Sequence, residues 1–216
     1  MAESNDIQQR ILDTAKEHFY AHGFSRVRVD DIATKLGISK KTFYKLFPSK
    51  NDLVKSVADR AIKEMDLCYA QILDDENVEF VEKLQRLMSF VGLQYAKMGK
   101  PLVEDLQKKS PQIWEKIARH RAERIMKVFG ELLSEGIRKG IFRNDIDRDL
   151  VLLIYSNAIE NIINPEMLTR IPFTAAQVFD TIVKVIFEGI LTSKSKQQFQ
   201  KQHHPLSRKK QNRTSI

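Results

Sequence analysis

Apolar residues recur at helical spacing along most of the chain. Ile7, Ile11, Ala15 and Phe19 fall four residues apart, which predicts an amphipathic helix ended by Gly23. A second, short helix is expected from about Val29 to Leu36. Asp30 and Asp31 occupy its first turn, where the positive helix end favours acids. Gly37 stops it. Ser39 can cap a third helix, Lys40 to Phe47, which Pro48 stops. Ser49, with Asp52 three residues on, opens a fourth. Its apolar face is Leu53, Val54, Val57, Ala61 and Met65, and it reaches about Leu73.

After an acidic break at Asp74 to Glu76, the pattern predicts five more helices. They cover Val78 to Met98, Pro101 to Lys108, Gln112 to Arg138, Asp147 to Ile163 and Thr174 to Leu191. Pro101 and Pro111 stand at helix starts, where a missing N–H costs little. Gly99 and Gly140 stand at ends, and Pro165 lies beyond the Asp147 helix. No period-two stretch of strand length and no internal repeat occurs. The expected fold is therefore all-α. From Lys194 onward the chain is rich in Lys, Gln and His with almost no apolar residues, and disorder is expected there.

Composition narrows the class. The chain has 216 residues, 42% hydrophobic and 30% charged, which suits a soluble globular protein. No apolar run approaches the roughly 20 residues of a membrane span. Met1 to Asp6 is polar and acidic, unlike a signal peptide. Cys68 is alone, which excludes an internal disulfide or a cysteine-built zinc site and makes a reduced, cytoplasmic setting the default. The net charge of +8 is unevenly spread. Residues 1–60 carry +3, residues 61–193 carry −2 and residues 194–216 carry +7. A basic head could meet an anionic partner; a basic tail could equally be a solubilising end.

Val29 to Phe47, VDDIATKLGISKKTFYKLF, decides between those options. A short helix, a turn through Gly37 and a second short helix form a helix-turn-helix pattern. Ala33 is small where two helices must cross, and Gly37 supplies the backbone freedom of the turn. Ile32, Leu36, Ile38, Phe43 and Phe47 can close one apolar core. At about 100° per residue, Phe43, Leu46 and Phe47 share a face of the third helix. Lys41, Tyr44 and Lys45 then point the other way, offering cations and a phenol to phosphates and base edges in a major groove. Ordinary surface lysines are the alternative, and the capped turn with its small residues weighs against it.

Gly37 to Leu53, GISKKTFYKLFPSKNDL, resembles the DNA-binding core of the TetR family of bacterial transcription regulators. The likeness reaches back through Asp31-Ile32-Ala33, Gly23-Phe24 and Phe19 to Ile7. Gly136 to Asp147, GIRKGIFRNDID, is similar to the turn before that family's dimerisation helices. The resemblance implies that the third helix is the recognition helix. Lys40, Lys41 and Thr42 would contact bases or phosphates, and Tyr44 and Lys50 would contact phosphates. Val29 and Thr34, on the second helix, would approach the DNA backbone. Leu46 stands where the family usually has His or Tyr, so it either makes no such contact or packs inward. The resemblance further implies a homodimer through the last two helices, a small-molecule effector, and repression of transcription relieved by that effector.

These readings divide the chain into a helix-turn-helix DNA-binding domain at 1–48, a helical ligand-sensing and dimerising domain at 49–193, and the basic tail at 194–216. Tyr95, Met98, Leu102, Leu106, Trp114, Ile117, Phe129 and Tyr155 either line a pocket between helices or simply fill a core. Asn157, Glu160 and Asn161 interrupt an apolar helix and could face a ligand, a partner or water. Val178, Ile182, Val185 and Gly189 recur at helical spacing and are expected in a four-helix dimer bundle. Asp74, Asp75 and Glu76 are consecutive, so they do not share a face as metal ligands would. His120 is expected on the surface, and His203 and His204 lie in the tail. No GxxxxGK[ST], GxGxxG or HExxH motif occurs, and neither an enzyme, a cofactor nor a membrane partner is expected. The expected partner is operator DNA. The competing readings are a DNA-binding protein with no ligand, and a helical carrier of small molecules or lipids.

Overall fold

A computed structural model describes residues 2–196. Among those residues every regular element is a helix, and the only β-type pairing is an isolated bridge between Phe142 and Leu191. Helix α1 (Ala2–His22), α2 (Val29–Leu36) and α3 (Lys40–Leu46) close a first core with the start of α4 (Lys50–Leu73). Ile11, Phe19, Ile32, Phe43, Phe47 and Leu53 are its largest fully buried side chains, all from the apolar faces read in the sequence. Helix α1 starts at Ala2, ahead of Ile7, because its first turn is polar and leaves no apolar signature.

Local chemistry sets the ends of these helices. Gly37 sits at φ +65° and ends α2 with N–H bonds back to the carbonyls of Ala33 and Thr34. Ile38 N–H then bonds Ala33 O at 3.0 Å, which completes the turn into α3. Ser39 accepts from Thr42 N–H at 3.0 Å and caps α3. Ser49 accepts from Asp52 N–H at 3.1 Å and donates its hydroxyl to the Asp52 carboxylate at 2.7 Å.

The body comprises α5 (Phe80–Lys97), α6 (Lys100–Lys109), α7 (Pro111–Arg124), α8 (Gly130–Arg138), α9 (Arg148–Ile162), α10 (Pro165–Arg170) and α11 (Ala175–Ile190). Helix α5 packs on α11, and α11 on α9. A second core runs between them, with Leu84, Leu133, Leu152, Ile159 and Phe187 fully buried. Tilted ring pairs thread it: Phe129 meets Tyr155 at 4.6 Å and Phe187 at 5.7 Å. Helix α4 belongs to both cores, with Leu53 to Val57 in the first and Tyr69 in the second.

Three expectations need correction. The helix expected over Gln112 to Arg138 is broken by a π-turn at Ile125–Phe129, which turns the adjacent Val128 and Phe129 both into the core. Pro165 does not merely follow a helix. It opens α10, for which Asn164 is the cap, accepting from Met167 N–H at 2.9 Å. The chain also remains ordered past Lys194. Residues 193–196 form a helical turn, Ser195 is buried, and its N–H bonds Thr192 Oγ1 at 3.4 Å. The rest of the basic tail lies outside the described residues.

Candidate functional site

The outward face of α3 is the one the sequence pattern selects. Phe43 and Phe47 are buried, Lys41 and Lys45 are exposed, and the Tyr44 side chain is 47% exposed. The Tyr44 ring packs edge-on against Phe43 at 5.5 Å, so the core fixes where its hydroxyl points. Leu46 is half-buried against the first core, which places it inward rather than on the outward face. Lys40 is not free: its ammonium pairs with Asp30 at 2.8 Å, and that contact raises its pKa. The Thr42 hydroxyl lies 2.9 Å from Ser39 Oγ. Val29 is half-buried against the core and Thr34 is exposed on α2.

Lys50 stands at the first turn of α4, and its surroundings were not legible in advance. Its Nζ donates to Ser25 O at 3.3 Å, and partial burial lowers its pKa. Ser25 in turn hangs on Asp105 of α6. The Asp105 carboxylate accepts from Ser25 N–H at 2.8 Å and from Ser25 Oγ–H at 2.6 Å, and pairs with Lys109 at 3.2 Å. Burial pushes the Asp105 carboxyl upward, but the Ser25 bonds and Lys109 outweigh it and hold the pKa below the usual range. Gly23 makes room for this carboxylate. At φ +77°, a Cβ there would stand 2.6 Å from Asp105 Oδ2 and 2.9 Å from Pro101 O. The loop between α1 and α2 is thus fastened to α6 by a buried charge.

A cavity of about 100 Å³ opens in the body. Ile62, Met65 and Tyr69 of α4 form one wall; Leu87, Met88, Val91, Gln94 and Tyr95 of α5 form another. Ile117, His120, Arg121 and Arg124 of α7, the π-turn, and Tyr155 and Ile159 of α9 close it. Of the eight candidates from the sequence, Tyr95, Met98, Ile117, Phe129 and Tyr155 line this space. Leu102, Leu106 and Trp114 do not. They pack into the first core, because α6 lies against α1 and α7 packs back on α6 and α4.

His120 is also misplaced by the sequence reading. Its side chain is 20% exposed and faces Asp66 of α4 at 3.0 Å, within the cavity wall. Arg124 Nε pairs with the same carboxylate at 2.7 Å. Burial raises the Asp66 pKa, and Arg124 and His120 more than reverse that. Burial raises the pKa of the Tyr95 phenol, with the Arg121 guanidinium beside it pulling the other way. Tyr69 and Tyr155 are likewise raised by burial.

Helices α9 and α11 carry an uncovered apolar stripe. Leu150, Leu153 and Ile154 on α9 and Val185 on α11 are each more than half exposed. A Cβ at Gly189 would touch nothing. Val178 and Ile182, expected in the same stripe, are instead buried in the core of the chain itself. Asn157, Glu160 and Asn161 are exposed and bond along α9 rather than into the cavity. Among the described residues no group of His, Cys, Asp and Glu could hold a metal ion, and no helix is long and apolar enough to cross a membrane.

A helix-turn-helix presenting lysines and a tyrosine, set on a helical body, is the architecture of a DNA-binding transcriptional regulator. Comparison with known proteins agrees. The family model for bacterial regulatory proteins of the tetR family matches residues 11–57. The HTH-type transcriptional regulator YvaF of Bacillus subtilis is 30% identical over 85% of this chain and 95% of its own length. The HTH-type transcriptional repressor KstR2 of Mycolicibacterium smegmatis is 30% identical over 67% of this chain and 71% of its own. A protein from Saccharomonospora viridis, solved in complex with choline, shares the fold with a TM-score of 0.65 at 23% identity, over 87% of this chain and 99% of its own. The chain belongs to the TetR family of bacterial transcription regulators.

Proposed function

We propose that this protein is a homodimeric repressor that binds operator DNA through α3 and is released by a small molecule bound in the body cavity. Lys40, Lys41, Thr42, Tyr44, Lys45 and Lys50 are the proposed DNA contacts, with Val29 and Thr34 against the backbone. Lys40 exchanges Asp30 for a phosphate on binding, and Lys50 gives up or shares its bond to Ser25. The observation that carries the sensor reading is the dual position of α4. Lys50 stands at its start, and Ile62, Met65 and Tyr69 form a cavity wall some 18 to 28 Å further along the same helix. A ligand that shifts the wall must tilt or reposition the end that stands beside the DNA contacts.

The exposed stripe on α9 and α11 supports the dimer. One helix-turn-helix reads few base pairs, and two must be spaced by about 34 Å to read both half-sites. Leu150, Leu153, Ile154 and Val185 lie on adjacent helices and form one apolar face of a kind that single chains rarely leave uncovered. The name of KstR2 supports repression, and the choline complex supports occupancy of such a body by a small molecule.

The test uses the full-length protein. It is first selected against a pool of random DNA duplexes, and the enriched site is then titrated at rising salt. A chemically varied set of small molecules is next screened for release of that site. An enriched palindrome bound by a dimer, and release by at least one compound, are expected. Enrichment of no sequence overturns the operator reading, and release by no compound overturns the sensor.

A further inference from the structure

The charges around the cavity do not balance. Asp66 is already shared between Arg124 and His120. Arg121, on the same face of α7, has a buried Nε with no hydrogen-bond partner among the described residues. The rest of its guanidinium hydrogen-bonds the Tyr95 phenol and lies 5.9 Å from the Trp114 ring. Neither carries a negative charge. Glu160, whose charge is felt at Tyr95, is exposed and takes the Ser156 hydroxyl at 3.4 Å instead. A guanidinium drawn into an apolar wall without a counter-charge is costly, and an incoming carboxylate would relieve that cost with a charge-assisted bond.

The walls set the rest of the ligand. Met65, Leu87, Met88, Val91, Val128 and Ile159 make most of the wall apolar, and its polar groups, Gln94, three tyrosines, His120 and two arginines, are few beside them, which suits a ligand that is apolar apart from one charged end. A water-sized sphere needs some 10 to 15 Å³, so about 100 Å³ holds roughly seven to ten non-hydrogen atoms. Resting on the sensor reading of this cavity, we propose that the effector is a compact apolar monocarboxylate of about that size, with its carboxylate on Arg121. The apolar part lies along α4 and α5, and the acid points to α7.

The test is calorimetric titration of the full-length protein, without DNA, using octanoate, octanol and octylamine as probes of one chain length and three charges. Octanoate is expected to bind at least tenfold more tightly than octanol, and octylamine more weakly than either. In Arg121→Gln the advantage of octanoate over octanol is expected to vanish, while octanol affinity stays within about threefold. Arg121→Lys is expected to restore part of the advantage. Equal affinity of octanoate and octanol for the wild type overturns the proposal while leaving the cavity a ligand site. Failure of all three probes to bind also overturns it. So does a folded Arg121→Gln protein that keeps the preference. If that variant does not fold, the order of the three probes on the wild type decides alone. The sensor reading fails on a different result, the absence of DNA release across the varied compound set.

Discussion

Replacing Asp105 with Ala is expected to destabilise the protein by about 2 kcal/mol and to loosen the loop that precedes α2. The carboxylate is 12% exposed and accepts both the N–H and the hydroxyl of Ser25. A hydrogen bond to a charged group contributes roughly 1.5 to 3 kcal/mol, and two converge here. Ser25 is only half-buried, so water recovers part of the loss and the lower end applies. Lys109 adds little, being 54% exposed. For a chain of this length about 2 kcal/mol lowers Tm by about 4 to 8 °C. Asp105→Asn keeps an acceptor and should cost about half as much.

The same carboxylate gives a pH signature. Its folded pKa is depressed, so its stabilisation is fully present above about pH 5. It is lost as pH falls through the ordinary value of 3.8 to the lower folded one. Urea titrations of wild type and Asp105→Asn between pH 7 and pH 3 should therefore converge at the acid end. A change below about 0.5 kcal/mol in Asp105→Ala, or a gap that widens as the pH falls, would refute the assignment.

Four further outcomes follow from the geometry. Lys41→Ala and Lys45→Ala should each reduce the salt slope of DNA binding by about 0.9, with thermal stability unchanged because both side chains are exposed; an unaltered slope removes that residue from the phosphate contacts. Tyr44→Phe should weaken DNA binding without lowering Tm, whereas Lys50→Ala should lower both, since Lys50 also holds the Ser25 carbonyl. Val185→Glu combined with Ile154→Glu should sediment as a folded monomer, while Ile182→Glu should unfold, its side chain being 8% exposed within the protomer; a dimeric double variant removes α9 and α11 from the interface. Gly37→Ala should cost about 1 kcal/mol in urea unfolding, because φ is +65° and a Cβ would meet nothing but strain.

The first core was readable because local signals and burial agree there. Caps at Ser39 and Ser49, a left-handed Gly37 and apolar residues at period 3.6 all act within a few residues of one another. The outward face of α3 then follows by subtraction, since Phe43 and Phe47 must point in. Spacing worked less well on α11. Val178, Ile182 and Val185 repeat on one pattern, yet the first two are buried within the chain and the third faces out. The helix is apolar on more than one side, and periodicity alone does not say which apolar stripe faces the core of the chain and which is left exposed.

The cavity was only half legible, for a different reason. Tyr95, Met98, Ile117, Phe129 and Tyr155 line it, while Leu102, Leu106 and Trp114, equally apolar and on the same stretch of chain, fill the first core. What separates Leu102 and Leu106 is the direction of α6, which lies against α1 and turns its apolar face into the first core, and Trp114 follows at the start of α7. That docking also explains Asp105. An acid in the middle of an amphipathic helix reads as solvated, and here the close approach permitted by Gly23 turns it onto Ser25. His120 is likewise expected on the surface, because it lies among charged residues and such runs are usually solvated. It lines the cavity instead because Asp66, more than fifty residues earlier, draws His120 and Arg124 inward and leaves the neighbouring Arg121 without a counter-charge. The polar groups that matter most to the body are thus fixed by partners distant in sequence, and the apolar pattern that reveals the helices carries no record of those pairings.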